Sequence, residues 1–363
     1  MAVRRRPTRQ VYVGHVAVGG GAPISVQSMT NTDTRDVAAT VAQIQRLSRA
    51  GCEIVRLAVP DTAAAAALAA IKKQVEIPIV ADIHFDYRLA LAALEAGVDG
   101  LRLNPGNIGG PEKVRAVVKE AAARQVPIRI GVNAGSLEKE AMAAHGGVTA
   151  AAMVASALKH VRILEDMGFY DIKISLKAAE VPLMLEAYRR IAEVVDYPLH
   201  LGVTEAGPGL AGAVKSAVGI GILLSEGIGD TIRVSLTGDP VQEVVAGFAI
   251  LSSLGLRHRG IDLISCPTCG RCQIDVEGVA ARVQQELQDI PKPLKVAVMG
   301  CAVNGPGEAR QADVGIAGGP GFGLLFRHGR PVRKIEEGDM ARVLIEEVRR
   351  LAAEEEEDKD AHK

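Results

Sequence analysis

Residues 127–133 read PIRIGVN, and residues 172–177 read IKISLK. Both are short β-branched runs in which aliphatic and polar side chains alternate, the period of two that marks a strand. In the first, the isoleucines oppose Arg129 and Asn133; in the second, the aliphatic residues oppose Lys173, Ser175 and Lys177. Similar runs stand at 24–29, 54–59, 79–84, 101–104, 199–204 and 232–237. Between them lie segments with helical spacing, among them 36–50, 112–124, 180–195 and 240–254. Pro23, Pro78, Pro127 and Pro198 stand at or just before strand starts, where a missing N–H does least harm. Eight strands, each followed by a helix, predict a closed (β/α)8 TIM-type barrel rather than an open doubly wound sheet. Glycines 19–21 lack the strand–helix context of a dinucleotide fingerprint and read as a turn.

After residue 256 the pattern changes. A helix over 276–287, a strand over 294–299, a hairpin around 327–330 and a helix over 340–353 predict a small α+β domain spanning 257–353. Residues 354–363 form a charged tail. The barrel is expected to fill 1–256 and to bind the substrate.

Composition narrows the function. Lys and Arg number 42 against 43 Asp and Glu, a net charge of -1, so no general basic field draws nucleic acid. Aromatics are 3% with no Trp, which leaves little for base stacking. No apolar run is long enough to cross a bilayer, and none follows Arg4, Arg5 and Arg6 as in a secretory signal. A cytoplasmic chain with reduced thiols, without membrane or nucleic-acid partners, is the expectation.

The strand parity gathers a polar layer at the carboxyl ends of the strands, where active sites of this fold lie. It comprises Arg56, Asp82, His84, Arg102, Asn104, Arg129, Asn133, Lys177, Glu205, Arg233 and Ser235. The cations outnumber Asp82 and Glu205, so the cluster calls for a ligand with several negative charges. Guanidinium forks suit phosphate oxygens, which points to a phosphate-rich small molecule. Glu205, Asp82 and His84 are the acid–base candidates.

Cys266, Cys269 and Cys272 place two C-x-x-C spacings in one loop, and Cys301 follows the strand over 294–299. Such thiols hold zinc or an iron–sulfur cluster. Iron–sulfur is favoured by two features: the domain has its own core, and the Gly- and Pro-rich loop 304–307 offers bare backbone N–H groups beside Cys301. Cys52 stands alone and reads as a small buried hydrophobe. The rival reading is a non-redox sugar-phosphate barrel enzyme with structural zinc and Lys173 or Lys177 as base or Schiff-base former.

Several longer stretches resemble one family along nearly the whole chain: SVQSMTNTDT from Ser25, ADIHFD from Ala81, LRLNPGNIG from Leu101 and RIGVNAGSLE from Arg129. LHLGVTEAG from Leu199, IRVSLTGDP from Ile232, SCPTCGR from Ser265 and GCAVNGPGEA from Gly300 complete the set. The family is the 4-hydroxy-3-methylbut-2-enyl diphosphate synthases of non-mevalonate isoprenoid biosynthesis, in their short, two-domain form. The resemblance implies a [4Fe-4S] oxidoreductase that reductively opens 2-C-methyl-D-erythritol 2,4-cyclodiphosphate and expels water. It implies electrons from reduced flavodoxin or ferredoxin, and a head-to-tail homodimer in which one cluster domain caps the other barrel. By motif, Arg56, Arg102, Asn104, Arg129, Asn133, Lys177, Arg233 and Ser235 would hold substrate, with Asp82 and His84 lining the pocket and Glu205 as acid–base group. Iron would be held by Cys266, Cys269, Cys301 and Glu308, which also makes Glu308 catalytic, while Cys272 is a bystander.

Overall fold

A computed structural model describes residues 3–303 and 305–360. The chain forms two compact units, Met1–Arg257 and His258–Lys363.

The first unit opens with an antiparallel hairpin, β1 (Gln10–Val13) and β2 (Val16–Gly19), which the sequence reading missed. Its Val11, Val13 and Val18 pack on Ile54 and Val80 of the barrel. Gly19, with φ of 81°, ends the hairpin in the predicted turn. Eight parallel strands follow: β3 (Ser25–Met29), β4 (Ile54–Ala58), β5 (Ile79–Asp82), β6 (Gly100–Arg102), β7 (Ile128–Asn133), β8 (Ile172–Lys177), β9 (His200–Leu201) and β10 (Thr231–Ile232). They pair in the order β8-β7-β6-β5-β4-β3-β10-β9, and a parallel bridge from Ile174 to Leu199 joins the two ends. The barrel is the predicted one.

Helices α1 (Val37–Arg49), α2 (Thr62–Lys72), α3 (Tyr87–Glu95), α4 (Pro111–Ala123), α5 (Lys139–Ala144), α6 (Ala150–Glu165), α7 (Val181–Val194), α8 (Gly209–Ser225) and α9 (Pro240–Ser253) cross between and after the strands. Asp36, Asp61, Asp86 and Asp239 cap four of them, each carboxylate accepting a first-turn N–H. The aliphatic strand faces and the helices share one core, which includes Ile44, Leu68, Leu94, Ile130, Ile174 and Leu251. The polar strand faces are therefore turned into the barrel.

The last two strands are shorter than the sequence predicts, and the reason is local. The Leu236 N–H goes to the Glu243 carboxylate at 3.1 Å rather than to a neighbouring strand. Just beyond the predicted run, Glu205 adopts left-handed backbone with φ of 52°, which turns the chain out of the sheet direction.

The second unit is a five-stranded sheet ordered β11 (Ile261–Ser265), β12 (Leu294–Met299), β13 (Val314–Gly319), β14 (Phe322–Arg327) and β15 (Arg330–Glu336). The first three strands are parallel and the last two antiparallel. Helices α10 (Val276–Glu286), α11 (Gly305–Arg310) and α12 (Met340–Asp360) accompany it. Val283, Val296, Ile316, Leu344 and Val348 build its separate core. Exposed Arg330, Pro331, Arg333 and Lys334 guard the edge strand against pairing with another chain. The final helix runs beyond the expected end at residue 353, because Ala, Glu and Lys are good helix formers and no Gly or Pro stops them.

Tyr188 links helix layer to barrel. Its buried hydroxyl accepts from the Leu176 N–H at 3.1 Å and donates to the His200 carbonyl. Tyr188→Phe strands both backbone groups, so urea unfolding is expected to show a loss of about 1–3 kcal/mol. An unchanged midpoint would contradict this account of the barrel seam.

Candidate active site

The polar faces of β4, β5 and β6 converge on one carboxylate. Asp82, at the end of β5, has Arg56 Nε at 3.6 Å, Arg102 Nη1 at 3.4 Å and His84 Nε2 at 3.7 Å. Burial alone would raise the Asp82 carboxyl, but Arg56, a hydrogen bond from His84 and Arg102 together hold it well below the usual carboxylate range. Asp82 is thus an anion that pins two arginines, not a proton donor at neutral pH. Burial, against the pull of Asp82, brings Arg56 down to about 10, which leaves it charged at neutral pH. His84 is 58% exposed and sits at the rim, outside the buried layer where the parity had put it.

A second carboxylate, unnoticed in the sequence, anchors the opposite side. Glu243, in the first turns of α9, is buried and takes Arg233 Nη2 at 3.1 Å and Nε at 3.3 Å. It also accepts from Ser28 Oγ at 2.8 Å and the Leu236 N–H. The available signal was an acidic residue on the core-facing side of a helix that follows a site strand. Glu205, expected to share this duty, is exposed after β9 and makes no hydrogen bond or ion pair among the described residues.

Apart from these anchored arginines stand Arg129 and Lys177, neither of them in an ion pair among the described residues. Arg129 is 2% exposed; its Nη1 reaches Ser175 Oγ at 3.5 Å, while Nε and Nη2 find no acceptor. Lys177 Nζ is buried and unpaired as well. Burial, then neighbouring cations, push both far below their usual values. One layer deeper, Lys173 is brought down to about 7 by burial and by Arg129. His200 is buried with both ring nitrogens unpartnered, and burial among these cations keeps it neutral. Buried unpaired charge is costly unless an opposite charge arrives. Multivalent anion binding is what this interior can do.

Asn104 has a different place from the one its motif suggests. Its Nδ2 donates to the Gly131 carbonyl at 3.0 Å, and its Oδ1 accepts the Gly131 N–H at 2.9 Å. Arg102 Nη2 shares that carbonyl at 2.7 Å. A Cβ on Gly131 would meet Arg102 Nε at 2.5 Å, so only glycine leaves the guanidinium its path. Asn133, at the end of β7 in register with Lys177, and Ser235, beyond the end of β10, are half-buried.

In the second unit, Cys266 and Cys301 follow the carboxyl ends of β11 and β12, which are neighbours. The Gly300 N–H donates to Cys266 Sγ at 3.2 Å. A Cβ at Gly300 would lie 2.4 Å from Cys272 Sγ and 3.1 Å from Cys266 Sγ, so glycine makes a cradle for sulfur. Cys272 Sγ donates to the Ile274 carbonyl at 3.2 Å, whereas Cys269 and Glu308 are exposed. Among the described residues no three His, Cys, Asp or Glu side chains close on a common point. The expected bare loop beside Cys301 is corrected: residues 305–310 are helical, and the Gly305 N–H is taken by the Cys301 carbonyl at 3.2 Å. Residue 304 lies outside the described residues. Cys52 is buried with its thiol pushed up to about 12, an inert hydrophobe as expected.

Sequence matches give this arrangement its place. The GcpE TIM-barrel domain spans residues 8–248, and the GcpE protein C-terminal domain spans 262–350. The chain belongs to the GcpE family. A 4-hydroxy-3-methylbut-2-en-1-yl diphosphate synthase (flavodoxin) of Geobacter sulfurreducens is 66% identical, covering 96% of this chain and 98% of that protein. The protein of the same description from Thermodesulfovibrio yellowstonii is 55% identical, covering 96% and 100%. Among solved structures, a Yersinia pestis dihydropteroate synthase aligns at a TM-score of 0.49 and 10% identity over 68% of this chain and 98% of that one, a likeness too slight to bear on the chemistry.

In this GcpE barrel the unpaired Arg129 should cost stability when no anion is bound. Arg129→Met is expected to raise the unfolding free energy of the ligand-free protein, by an amount on the order of 1–4 kcal/mol. Pyrophosphate should stabilise the parent chain and lose that effect in the variant, as thermal melts would show. A less stable Arg129→Met protein would mean that the interior already balances its charge.

Proposed function

We infer that this chain is a 4-hydroxy-3-methylbut-2-en-1-yl diphosphate synthase acting on 2-C-methyl-D-erythritol 2,4-cyclodiphosphate. In the acid forms, two electrons and two protons enter, the ring opens, and one oxygen leaves as water. The observation that carries the reading is the set of buried Arg102, Arg129 and Lys177 with half-buried Arg56 and Arg233, balanced among the described residues by Asp82 and Glu243. A diphosphate supplies the missing negative charge, and the relatives are named for a diphosphate product. A sugar-phosphate lyase using Lys173 or Lys177 is not favoured, since the matches span both units and share one enzyme name.

In this reading the unpartnered Nε and Nη2 of Arg129 and Nζ of Lys177 take the diphosphate oxygens, with Asn133 and Ser235 beside them. Arg56, Arg102 and Arg233 are preset by Asp82 and Glu243, so little reorganisation remains when substrate arrives. Asn104 acts through Gly131 to fix the Arg102 guanidinium. His84 borders the pocket, and Glu205 serves as the acid–base group for the departing hydroxyl.

The cysteine unit fits an iron–sulfur group: thiols end two adjacent strands, and Gly300 leaves room for sulfur. Cys266, Cys269, Cys301 and Glu308 would hold a [4Fe-4S] cluster, with Cys272 outside the ligand set. When bound, that group would supply the two electrons, with Glu308 as a carboxylate ligand beside the three thiolates. Reduced flavodoxin is the donor the relatives' name supports, with ferredoxin as the alternative donor. No helix of the described residues is long and apolar enough to cross a membrane. We place the working enzyme in the cytoplasm as a homodimer.

Anaerobic purification with iron and sulfide analysis tests the assignment. About four iron and four sulfide per chain are expected, with Cys272→Ser unchanged in cluster content. Glu308→Ala should lose turnover of the cyclodiphosphate with reduced flavodoxin. Zinc without iron would overturn the redox reading, and cluster loss in Cys272→Ser with full turnover in Glu308→Ala would overturn the ligand set.

A further inference from the structure

His160 lies in α6, fully buried, and the proposed chemistry does not use it. Its ring reaches two loops at the carboxyl end of the barrel. Nδ1 accepts the Gly106 N–H at 3.2 Å, in the 105–107 turn that directly follows Arg102 and Asn104. Nε2 lies 3.0 Å from Glu138 Oε1, in the segment that follows Asn133, though off the ideal N–H axis. Glu138 is held in turn by Ser156 Oγ and approached by Lys159 Nζ at 3.6 Å. Gly106 is shaped to the ring, for a Cβ there would stand 2.8 Å from His160 Cε1. Because Nδ1 accepts, the neutral ring carries its proton on Nε2, toward the carboxylate.

We propose that His160 is a positioning residue for the diphosphate site, whose neutral ring ties the loop after β6 to the loop after β7. The proposal rests on the substrate reading above. Both loops continue strands that carry site residues: Arg102, with Asn104 behind it, on one, and Arg129 and Asn133 on the other. A histidine that merely filled space would have no need of both loops. Misplacing site groups by about 1 Å costs on the order of a hundredfold, so a tie between these loops bears directly on substrate affinity.

The ring also makes the tie sensitive to acid. The charged groups acting on it are Glu138 from the loop before α5 and Lys159 from its own helix. Burial lowers the ring below the ordinary histidine range, against the pull of Glu138. A group whose folded value is depressed is intact at neutral pH and gives way as pH falls through that value. A proton on Nδ1 would then face the Gly106 N–H, donor against donor.

Steady-state kinetics of the holoenzyme provide the test. His160→Leu is expected to raise KM for the cyclodiphosphate about tenfold or more, with kcat and iron content far less changed. His160→Gln can accept from Gly106 and donate to Glu138 but cannot be protonated. It should return KM to within about twofold of the parent at neutral pH, and remove part of the parent's rise in KM on the acid side. Gly106→Ala should mimic His160→Leu without touching the ring. Amide exchange of residues 103–109 in ligand-free protein reads the tie without substrate, and should quicken in His160→Leu and Gly106→Ala but not in His160→Gln. Unchanged KM and exchange in His160→Leu, or a glutamine variant no better than leucine, would overturn the proposal. A parent protein that does not turn over the cyclodiphosphate would instead defeat the functional reading, while the exchange comparison would still decide whether the tie exists.

Discussion

An excess of positive charge inside a closed barrel is the constraint around which the first unit is arranged. Arg56, Arg102, Arg129 and Lys177 on separate strands, and Arg233 just past the end of β10, gather near two carboxylates, Asp82 and Glu243. Like charges brought together in low dielectric repel strongly, and each unpaired one has lost its water. The fold tolerates this because the aliphatic faces of the same strands are packed against a continuous helix layer. The strain stays local to the place where a ligand can relieve it. A site built this way binds a multivalent anion tightly because the empty state is unfavourable.

Preorganisation follows from which cations are paired. Asp82 fixes Arg56 and Arg102, Glu243 fixes Arg233, and Arg129 Nε and Nη2 and Lys177 Nζ are left without an acceptor. In the proposed function the pinned arginines would shape the pocket and the remaining free donors would take the new contacts. Backbone geometry completes the arrangement. Gly131 is read on both its N–H and its carbonyl by Asn104, and its missing side chain is the corridor through which Arg102 passes. The loops beyond these strands are then drawn together by a buried imidazole rather than by strand pairing.

The second unit solves a different problem with its own core. Val283, Val296, Ile316 and Leu344 give it an apolar core of its own. Its cysteines are therefore available for chemistry rather than needed as staples. Gly300 is the position on which that end depends, since any side chain there would occupy the space that Cys266 and Cys272 share.

Much of this was legible in the linear chain. Alternation with period two, repeated eight times with helices between, specifies the barrel, because strand parity and crossover length follow from covalent geometry. The same parity named Arg102, Arg129 and Lys177 as inward residues, and cysteine spacing singled out the second unit. What the sequence left open are the pairings made across elements distant along the chain. Glu243 rather than Glu205 balances Arg233, Asn104 serves the backbone of Gly131, and His160 joins two loops. A loop read as bare backbone is a helix, because the Gly305 N–H finds the Cys301 carbonyl. Local periodicity fixes which face a side chain takes, whereas its partner depends on how far each strand extends and where the next helix returns. That is decided only when the ring of strands closes.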